Sequence, residues 1–146
     1  MRIHLGGSSR QSLVAARAKL DAAVKGATAA SATELSSQLF FAADVLSKNT
    51  SIRRAFADPS RDAASKGALV KDLFAKSLAA SALEILTDVS TLRWSAAGDL
   101  VHVLEQLAIE AEASAANLNN ELDRVEDEFF ETSQLVVDNF ELRKAL

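Results

Sequence analysis

The sequence lacks cysteine and has few of the residues that interrupt helices. Its 146 residues include no Cys, one Pro and five Gly. The absence of Cys excludes a disulfide framework, a Cys-based zinc site and a thiol nucleophile. Because Pro and Gly are the least favourable residues inside a helix, their scarcity leaves long stretches of the chain able to form helices.

The sequence also lacks catalytic motifs and any uninterrupted apolar run approaching the roughly 20 residues of a membrane span. It has no Gly-x-Ser-x-Gly motif, and Gly6-Gly7 is not followed by the Lys-Ser/Thr pair of a phosphate-binding loop. Asp99-x-x-His102 occurs once, whereas a di-iron bundle needs a Glu-x-x-His pair on each of two helices. We therefore predict no enzymatic activity, no metal site and no cofactor.

The chain does contain apolar residues that recur at the helical spacings of three and four. Hydrophobic residues make up 49% of the chain and charged residues 25%, as in a globular domain. Leu13, Leu20 and Val24, for example, share one face of the first predicted helix. Helix starts are predicted at Ser8 or Ser9, at the capping box Ser31-x-x-Glu34, at Asn49, at Asp58-Pro59, at Ser77 or Ser81, and near Ala96. With no β-pattern anywhere, these signals predict an all-α fold.

Charge is unevenly distributed along the chain. Residues 1–109 carry 13 basic and 10 acidic side chains, whereas residues 110–146 carry 3 basic and 10 acidic ones. Such an asymmetry can mark a boundary between two structural units, and the acidic tail would repel a polyanion.

Two segments of the chain match at a constant offset of 90 residues. Asn49 corresponds to Asn139, and residues 52–56 correspond to residues 142–146, each with a basic pair between apolar residues. The first copy continues into Asp58-Pro59, whereas the second stops at Leu146. The match predicts an incomplete second unit; the alternative is chance similarity between two amphipathic helices.

Several ordered segments carry a resemblance to a known family. They are residues 8–13, 40–56, 58–62 and 92–95, and the long helix with Leu100, Leu104, Leu107 and Glu110. Taken together, they resemble the delta subunit of bacterial F-type ATP synthases, a relative of the mitochondrial oligomycin-sensitivity-conferring protein. The resemblance extends over residues 8–146.

The resemblance implies a six-helix bundle over residues 1–115, followed by an additional helical segment. Residues 116–146 would then contain a connecting helix and the truncated beginning of a second domain. It also implies a non-catalytic stator component, located peripherally on the cytoplasmic face of the inner (plasma) membrane. In the family, the bundle binds the N-terminal helix of an alpha subunit, and the second domain binds the b subunit of the peripheral stalk.

By helix position, the resemblance implies that the alpha-subunit helix lies in a groove between the first and fifth helices. The fifth helix has two apolar stripes, of which one can be core and the other groove; the alternative is that both are core. Small residues on the first helix would allow a partner helix to approach closely, or are ordinary surface residues. The partner-binding residues predicted in this way are Val14, Arg17, Ala18, Asp21, Leu83, Leu86 and Ser90.

Two other functions fit the composition: a generic helical adaptor, and a helical nucleic-acid-binding domain with an acidic tail. The basic residues between Lys48 and Lys76 are interspersed with acidic ones and lack interleaved aromatic residues, which favours a solvated face over a single-strand binding site. We therefore expect no nucleic-acid partner and only indirect contact with a membrane. Exposed Phe129, Phe130 and Phe140 would allow the tail to self-associate.

Overall fold

A computed structural model of the chain describes residues 5–120, which form six helices and no strand. The helices are α1 (Gly7–Val24), α2 (Ala29–Lys48), α3 (Thr50–Ala57), α4 (Ala63–Phe74), α5 (Ala80–Ser90) and α6 (residues 97–120). The prediction of an all-α fold with six helices is confirmed.

The predicted division into two domains falls inside a helix. α6 is continuous through residues 115 and 116 and is helical up to residue 120. The additional helical segment beyond residue 120, the second copy of the internal repeat and the three Phe residues of the tail lie outside the described residues, so the division at residue 115 stays a prediction.

α5 lies at the centre of the bundle, where it packs against α1, α2 and α4. It buries Ala82, Ile85, Leu86 and Val89 almost completely. α6 also has a continuous buried face, and hydrophobic burial of this kind is the main source of stability for helices of this length. The buried residues of α6 are Leu100, Val101, Val103, Leu104, Leu107, Ala108, Ala111 and Ala115.

The starts of α1 and α2 differ from those predicted. Gly6 occupies the N-cap position of α1, and Ser9, three residues further on, is fully buried inside the bundle instead of serving as a cap. α2 begins with a reciprocal pair in which Thr28 and Ser31 each accept a hydrogen bond from the other's backbone N–H. The predicted pairing of Ser31 with Glu34 was wrong because Thr28, three residues upstream, already provides the cap.

The start of α4 also lies downstream of the prediction. Asp58 forms a turn in which its carboxylate accepts hydrogen bonds from the N–H and the hydroxyl of Ser60, at 2.9 and 2.7 Å. The N-cap of α4 is Asp62, whose carboxylate accepts the N–H of Ser65 at 2.7 Å. These hydrogen bonds lower the pKa of both carboxyl groups.

Side chains from neighbouring helices and from the segment before α6 satisfy the backbone at the ends of α5. Gln38 Oε1 accepts the N–H of Ala79 at 2.8 Å, in place of the predicted serine cap. At the other end, Lys66 Nζ donates to the carbonyl of Ser90 at 2.8 Å, and Trp94 Nε1 donates to the carbonyl of Val89 at 3.1 Å. These contacts hold α5 in a defined position against α2, α4 and the segment that leads to α6.

Between residues 5 and 120, no helix is both long enough and apolar enough to cross a membrane.

Candidate partner-binding groove

α1 and α5 are antiparallel neighbours with an open groove between them. Near the start of α1, the hydroxyl of Ser12 donates to the backbone carbonyl of Arg93, just beyond the end of α5. Further along α1, Lys19 Nζ lies 3.8 Å from Asp88 Oδ2 on α5. We call the depression above this helix pair the α1–α5 groove.

The groove consists of two hollows that follow one another along α1. The first, of about 350 Å³, is lined by Ser8, Gln11, Ser12, Ala15, Leu92 and Arg93. The second, of about 260 Å³, is lined by Lys19, Ala22, Ala23, Ser81, Glu84, Ile85 and Asp88. At 1.5 Å per residue, the stretch of α1 that lines both hollows is roughly 22 Å long, which matches about four turns of a partner helix.

Small and apolar side chains form the floor of the groove, and charged side chains form its walls. Ala15, Ala22 and Ala23 leave the backbone of α1 open to close approach, and Ile85, which lines the second hollow with Ala22 and Ala23, is 98% buried. The pair between Lys19 and Asp88 is largely exposed, with 57% and 35% of the two side chains accessible, so it contributes little to stability and is readily rearranged. A groove of this form can accept one face of an amphipathic helix.

None of the residues predicted on α1 lines the two hollows, although helical spacing places Ala18 beside them. Ala18 is exposed and lies three residues after Ala15 and four before Ala22, so the three residues share one face. Arg17 lies on the flank that faces α6, where its Nε donates to Glu110 Oε1 at 2.8 Å.

Val14 and Asp21 occupy the same flank of α1 as Arg17, because they precede and follow it by three and four residues. Val14 is 69% exposed, and Asp21 is also exposed. These side chains are accessible to a partner, but they do not line the groove itself.

The predictions for α5 require a correction. Leu86 and Ser90 are fully buried, because this stripe of α5 faces the bundle interior, so neither can contact a partner on the surface. The backbone carbonyl of Ser90 is already occupied by Lys66 Nζ from α4. Leu83 is partly buried and packs against the core.

The groove face of α5 was missed because the prediction followed apolar stripes. Glu84 and Asp88 are spaced by four residues and mark the polar side of the helix, which is where the groove opens. This spacing is visible in the sequence and could have located the groove face.

Within residues 5–120, no group of three or more His, Cys, Asp or Glu side chains is arranged to hold a metal ion. The arrangement of the site is that of a binding surface: an apolar floor, small residues and charged walls between two helices. The described residues thus form an all-α bundle with a helix-sized groove.

Comparison with known proteins identifies what the chain is similar to. No model of a protein family matches it. It is 36% identical over 140 residues to ATP synthase subunit delta of Streptomyces coelicolor, 34% identical over 139 residues to that of Salinispora arenicola, and 34% identical over 140 residues to that of Kineococcus radiotolerans. These matches cover 95–96% of the chain but only 50–51% of each relative, so the chain spans about half the length of the curated relatives.

The chain is therefore a homologue of ATP synthase subunit delta over almost all of its own length. The resemblance predicted from its sequence is confirmed.

Proposed function

We propose that the chain is a non-catalytic stator component of an F-type ATP synthase, and that the α1–α5 groove binds the N-terminal helix of an alpha subunit. The observation that carries the proposal is the open groove with its floor of Ala15, Ala22 and Ile85, in a chain homologous to ATP synthase subunit delta. A partner helix lying there would bury its apolar face against these small residues.

The construction of the bundle suits a part that must resist a mechanical load. α5, which forms one wall of the groove, is held by packing against three other helices and by side-chain hydrogen bonds at both of its ends. A force applied to a helix in the groove would therefore be passed to the whole bundle. In this proposal, the rest of a complete delta subunit contacts the b subunit of the peripheral stalk, so that the catalytic head stays still while the rotor turns.

The proposed location is peripheral, on the cytoplasmic face of the plasma membrane, through the ATP synthase complex. A nucleic-acid-binding function is less well supported, because Glu84 and Asp88 place negative charge on the wall of the groove, where phosphate groups would be repelled. A generic adaptor function would use the same groove with another helix, and the test below separates the two.

The test is isothermal titration of the chain with a peptide of the first roughly 20 residues of the alpha subunit from the same organism, long enough to fill the groove. We expect saturable one-to-one binding with a negative heat-capacity change and weak dependence on salt. A peptide of the same composition in scrambled order controls for nonspecific association.

Two tryptophan variants locate the site. A22W fills the groove and should weaken binding by roughly tenfold or more, since a clash of this kind costs about 1–3 kcal/mol. V14W places the same side chain on the flank facing α6 and should leave the affinity unchanged. If V14W weakens binding and A22W does not, the partner binds on the flank of Val14, Arg17 and Asp21. If the folded chain binds no peptide, the proposed function is wrong.

A further inference from the structure

A second exposed apolar surface lies where α2 meets α6, apart from the α1–α5 groove. The two helices are in direct contact there, because the buried hydroxyl of Ser36 donates to the backbone carbonyl of Ala108 at 2.7 Å. Phe40, one turn after Ser36, is 38% exposed, and Ile109, next to Ala108, is 41% exposed. Neither Phe40 nor Ile109 lines the hollows of the groove. Two large apolar side chains therefore stay accessible beside one helix contact.

Acidic side chains flank Ile109 on α6. Glu105 precedes Ile109 by four residues and Glu112 follows it by three, so the three residues share one face of the helix. Glu112 is exposed, and 39% of the Glu105 side chain is accessible, with His102 Nδ1 at 4.0 Å from its carboxylate. We call the surface formed by Phe40, Glu105, Ile109 and Glu112 the α2–α6 surface.

Other charges on the two helices are already paired within the bundle. On α6, Asp99 and Glu110 accept hydrogen bonds from side chains of α1, and residues 97–120 include no Lys or Arg. On α2, Lys48 Nζ lies 3.0 Å from Asp44 Oδ2, so these two charges offset each other. The two glutamates of the α2–α6 surface therefore determine the charge that an occupant meets.

We propose that the α2–α6 surface binds an amphipathic helix of a partner protein, with an apolar stripe flanked by lysine or arginine. The apolar stripe covers Phe40 and Ile109, and the basic side chains pair with the two glutamates. At 1.5 Å per residue, Glu105 and Glu112 are roughly 10 Å apart along α6, which is the length of about two turns of the partner helix.

The charge of the surface opposes the other candidate occupants. Residues 121–146 of the same chain contain 8 acidic and 3 basic side chains, so the two glutamates repel that segment. A second copy of the chain that docked through the same surface would meet the same two negative charges. Nucleic acid and an anionic lipid surface are repelled for the same reason.

The probe is a synthetic peptide of about 14 residues, with leucine at the helical spacings of three and four and lysine at the other positions. Its matched control has glutamate in place of every lysine. Each peptide is titrated into the complete ¹⁵N-labelled chain. The lysine peptide should shift the amide signals of residues 37–41 and 105–112 saturably, and the glutamate peptide should leave them unchanged. Shifts confined to the residues of the α1–α5 groove, equal binding of the two peptides, or no binding of either overturns the proposal.

Variants of the surface test whether these side chains cause the preference. The double variant E105K with E112K should bind the glutamate peptide more tightly than the lysine peptide. I109S should weaken binding of the lysine peptide by roughly three- to tenfold, because it removes apolar surface that the peptide would bury. D72K makes the same change of charge at an exposed residue of α4 and should leave the preference unchanged. Circular dichroism checks that each variant is folded, and a double variant with the wild-type preference overturns the proposal.

Two measurements on the chain without peptide test the other occupants. Signals of residues 37–41 and 105–112 that move with the concentration of the chain would show that a second copy covers the surface. Because the chain has no Cys, S133C carries a single nitroxide label. Broadening of the same signals by this label in dilute solution would show that residues 121–146 cover the surface. Either result overturns the proposal and leaves the titration of the α1–α5 groove unaffected.

Discussion

The hydroxyl of Ser9 on α1 donates a hydrogen bond of 2.7 Å to Asp99 Oδ2 on α6, across 90 residues of sequence. The same hydroxyl oxygen accepts the N–H of Ser95 at 2.8 Å, and Ser9 is completely buried. One side chain thus joins the start of α1 to the start of α6. Because Arg93 lies two residues before Ser95, this junction also positions the end of the α1–α5 groove that Arg93 lines.

Replacing Ser9 with Ala should destabilise the bundle by about 1–3 kcal/mol, because it leaves the N–H of Ser95 and the carboxylate of Asp99 without their partner. The measurement is urea unfolding followed by circular dichroism. The matched control is S8A, since Ser8 is exposed and should stay within about 0.5 kcal/mol of the wild type. Equal stability of S9A and S8A would show that the junction contributes nothing.

Gly6 and Gly7 offer a second matched pair, at the same junction. A Cβ atom added at Gly6 would lie 2.5 Å from Ser95 Oγ and 2.7 Å from Ser95 Cβ, which is closer than atoms can approach. G6A should therefore destabilise the fold, by about 1–3 kcal/mol for a clash of this kind.

At Gly7, in contrast, a Cβ atom would meet nothing within 4 Å, and the residue lies in the first turn of α1. G7A should leave stability unchanged or raise it by up to about 1 kcal/mol, because Ala is favoured over Gly in helices. Thermal unfolding of G6A, G7A and the wild type measures these differences in stability. A G6A variant as stable as G7A would mean that Ser95 moves away at no cost.

The fold was more predictable from sequence than the site, for physical reasons that particular residues illustrate. The six helices follow from apolar spacing, which depends on many residues at once and tolerates local errors. A helix cap depends on one side chain, and several nearby residues offer the same chemistry. Asp58 and Asp62 are both good caps, and only the folded chain shows that Asp58 closes a turn on Ser60 while Asp62 begins α4.

The groove was harder to place because periodicity cannot tell which neighbour a helix face will meet. Leu86 and Ser90 form a regular stripe that the fold buries, partly through the hydrogen bond from Lys66 to Ser90. That contact joins residues 24 positions apart and has no signature in the local sequence. The position of the groove between the first and fifth helices was implied by the family resemblance, and the antiparallel packing of α1 and α5 is consistent with it.

The N-cap Asp62 gives a pH-dependent prediction. Hydrogen bonds from Ser65 lower the pKa of the Asp62 carboxyl in the folded state, and the backbone N–H contributes more than the side chain. The unfolded state therefore binds a proton at this carboxyl more readily than the folded state does. The contribution of Asp62 to the stability of the fold is complete above the unfolded pKa and is lost as pH falls through the folded pKa. D62A should be less stable than the wild type at pH 7, and this difference should shrink below about pH 4.

D62N is the matched control for that experiment, because Asn caps a helix through its side-chain oxygen but does not titrate. Its difference from the wild type should be smaller than that of D62A at pH 7. Urea unfolding at a series of pH values measures all three proteins. A difference between D62A and wild type that stays constant from pH 7 to pH 2.5 would contradict the assignment of Asp62 as a charged cap.

Lys66 also makes stability rise with pH, but in the alkaline range and because burial of its charge is unfavourable. The residue is 3% exposed, and burial is the main reason that its pKa is lowered; Asp58 raises the pKa and Arg61 lowers it further. Because the unfolded state holds this proton more tightly than the folded state, burying the charge costs stability below the folded pKa. That cost is relieved as pH rises from the folded pKa to the unfolded one.

The variant K66M removes the titrating group and keeps most of the side-chain volume. The stability of the wild type relative to K66M should therefore increase between pH 7 and pH 10, since all other titrating groups are common to both proteins and cancel in the comparison. Urea midpoints of the two proteins at each pH provide the measurement. K66A, measured alongside, distinguishes the effect of lost side-chain volume from the effect of titration, because lost volume shifts the free energy of unfolding equally at every pH. If the stability of the wild type relative to K66M stays constant towards pH 10, the hydrogen bond from the ammonium group to the Ser90 carbonyl balances the cost of burying the charge, and if it falls, the hydrogen bond outweighs that cost; either result contradicts the lowered pKa.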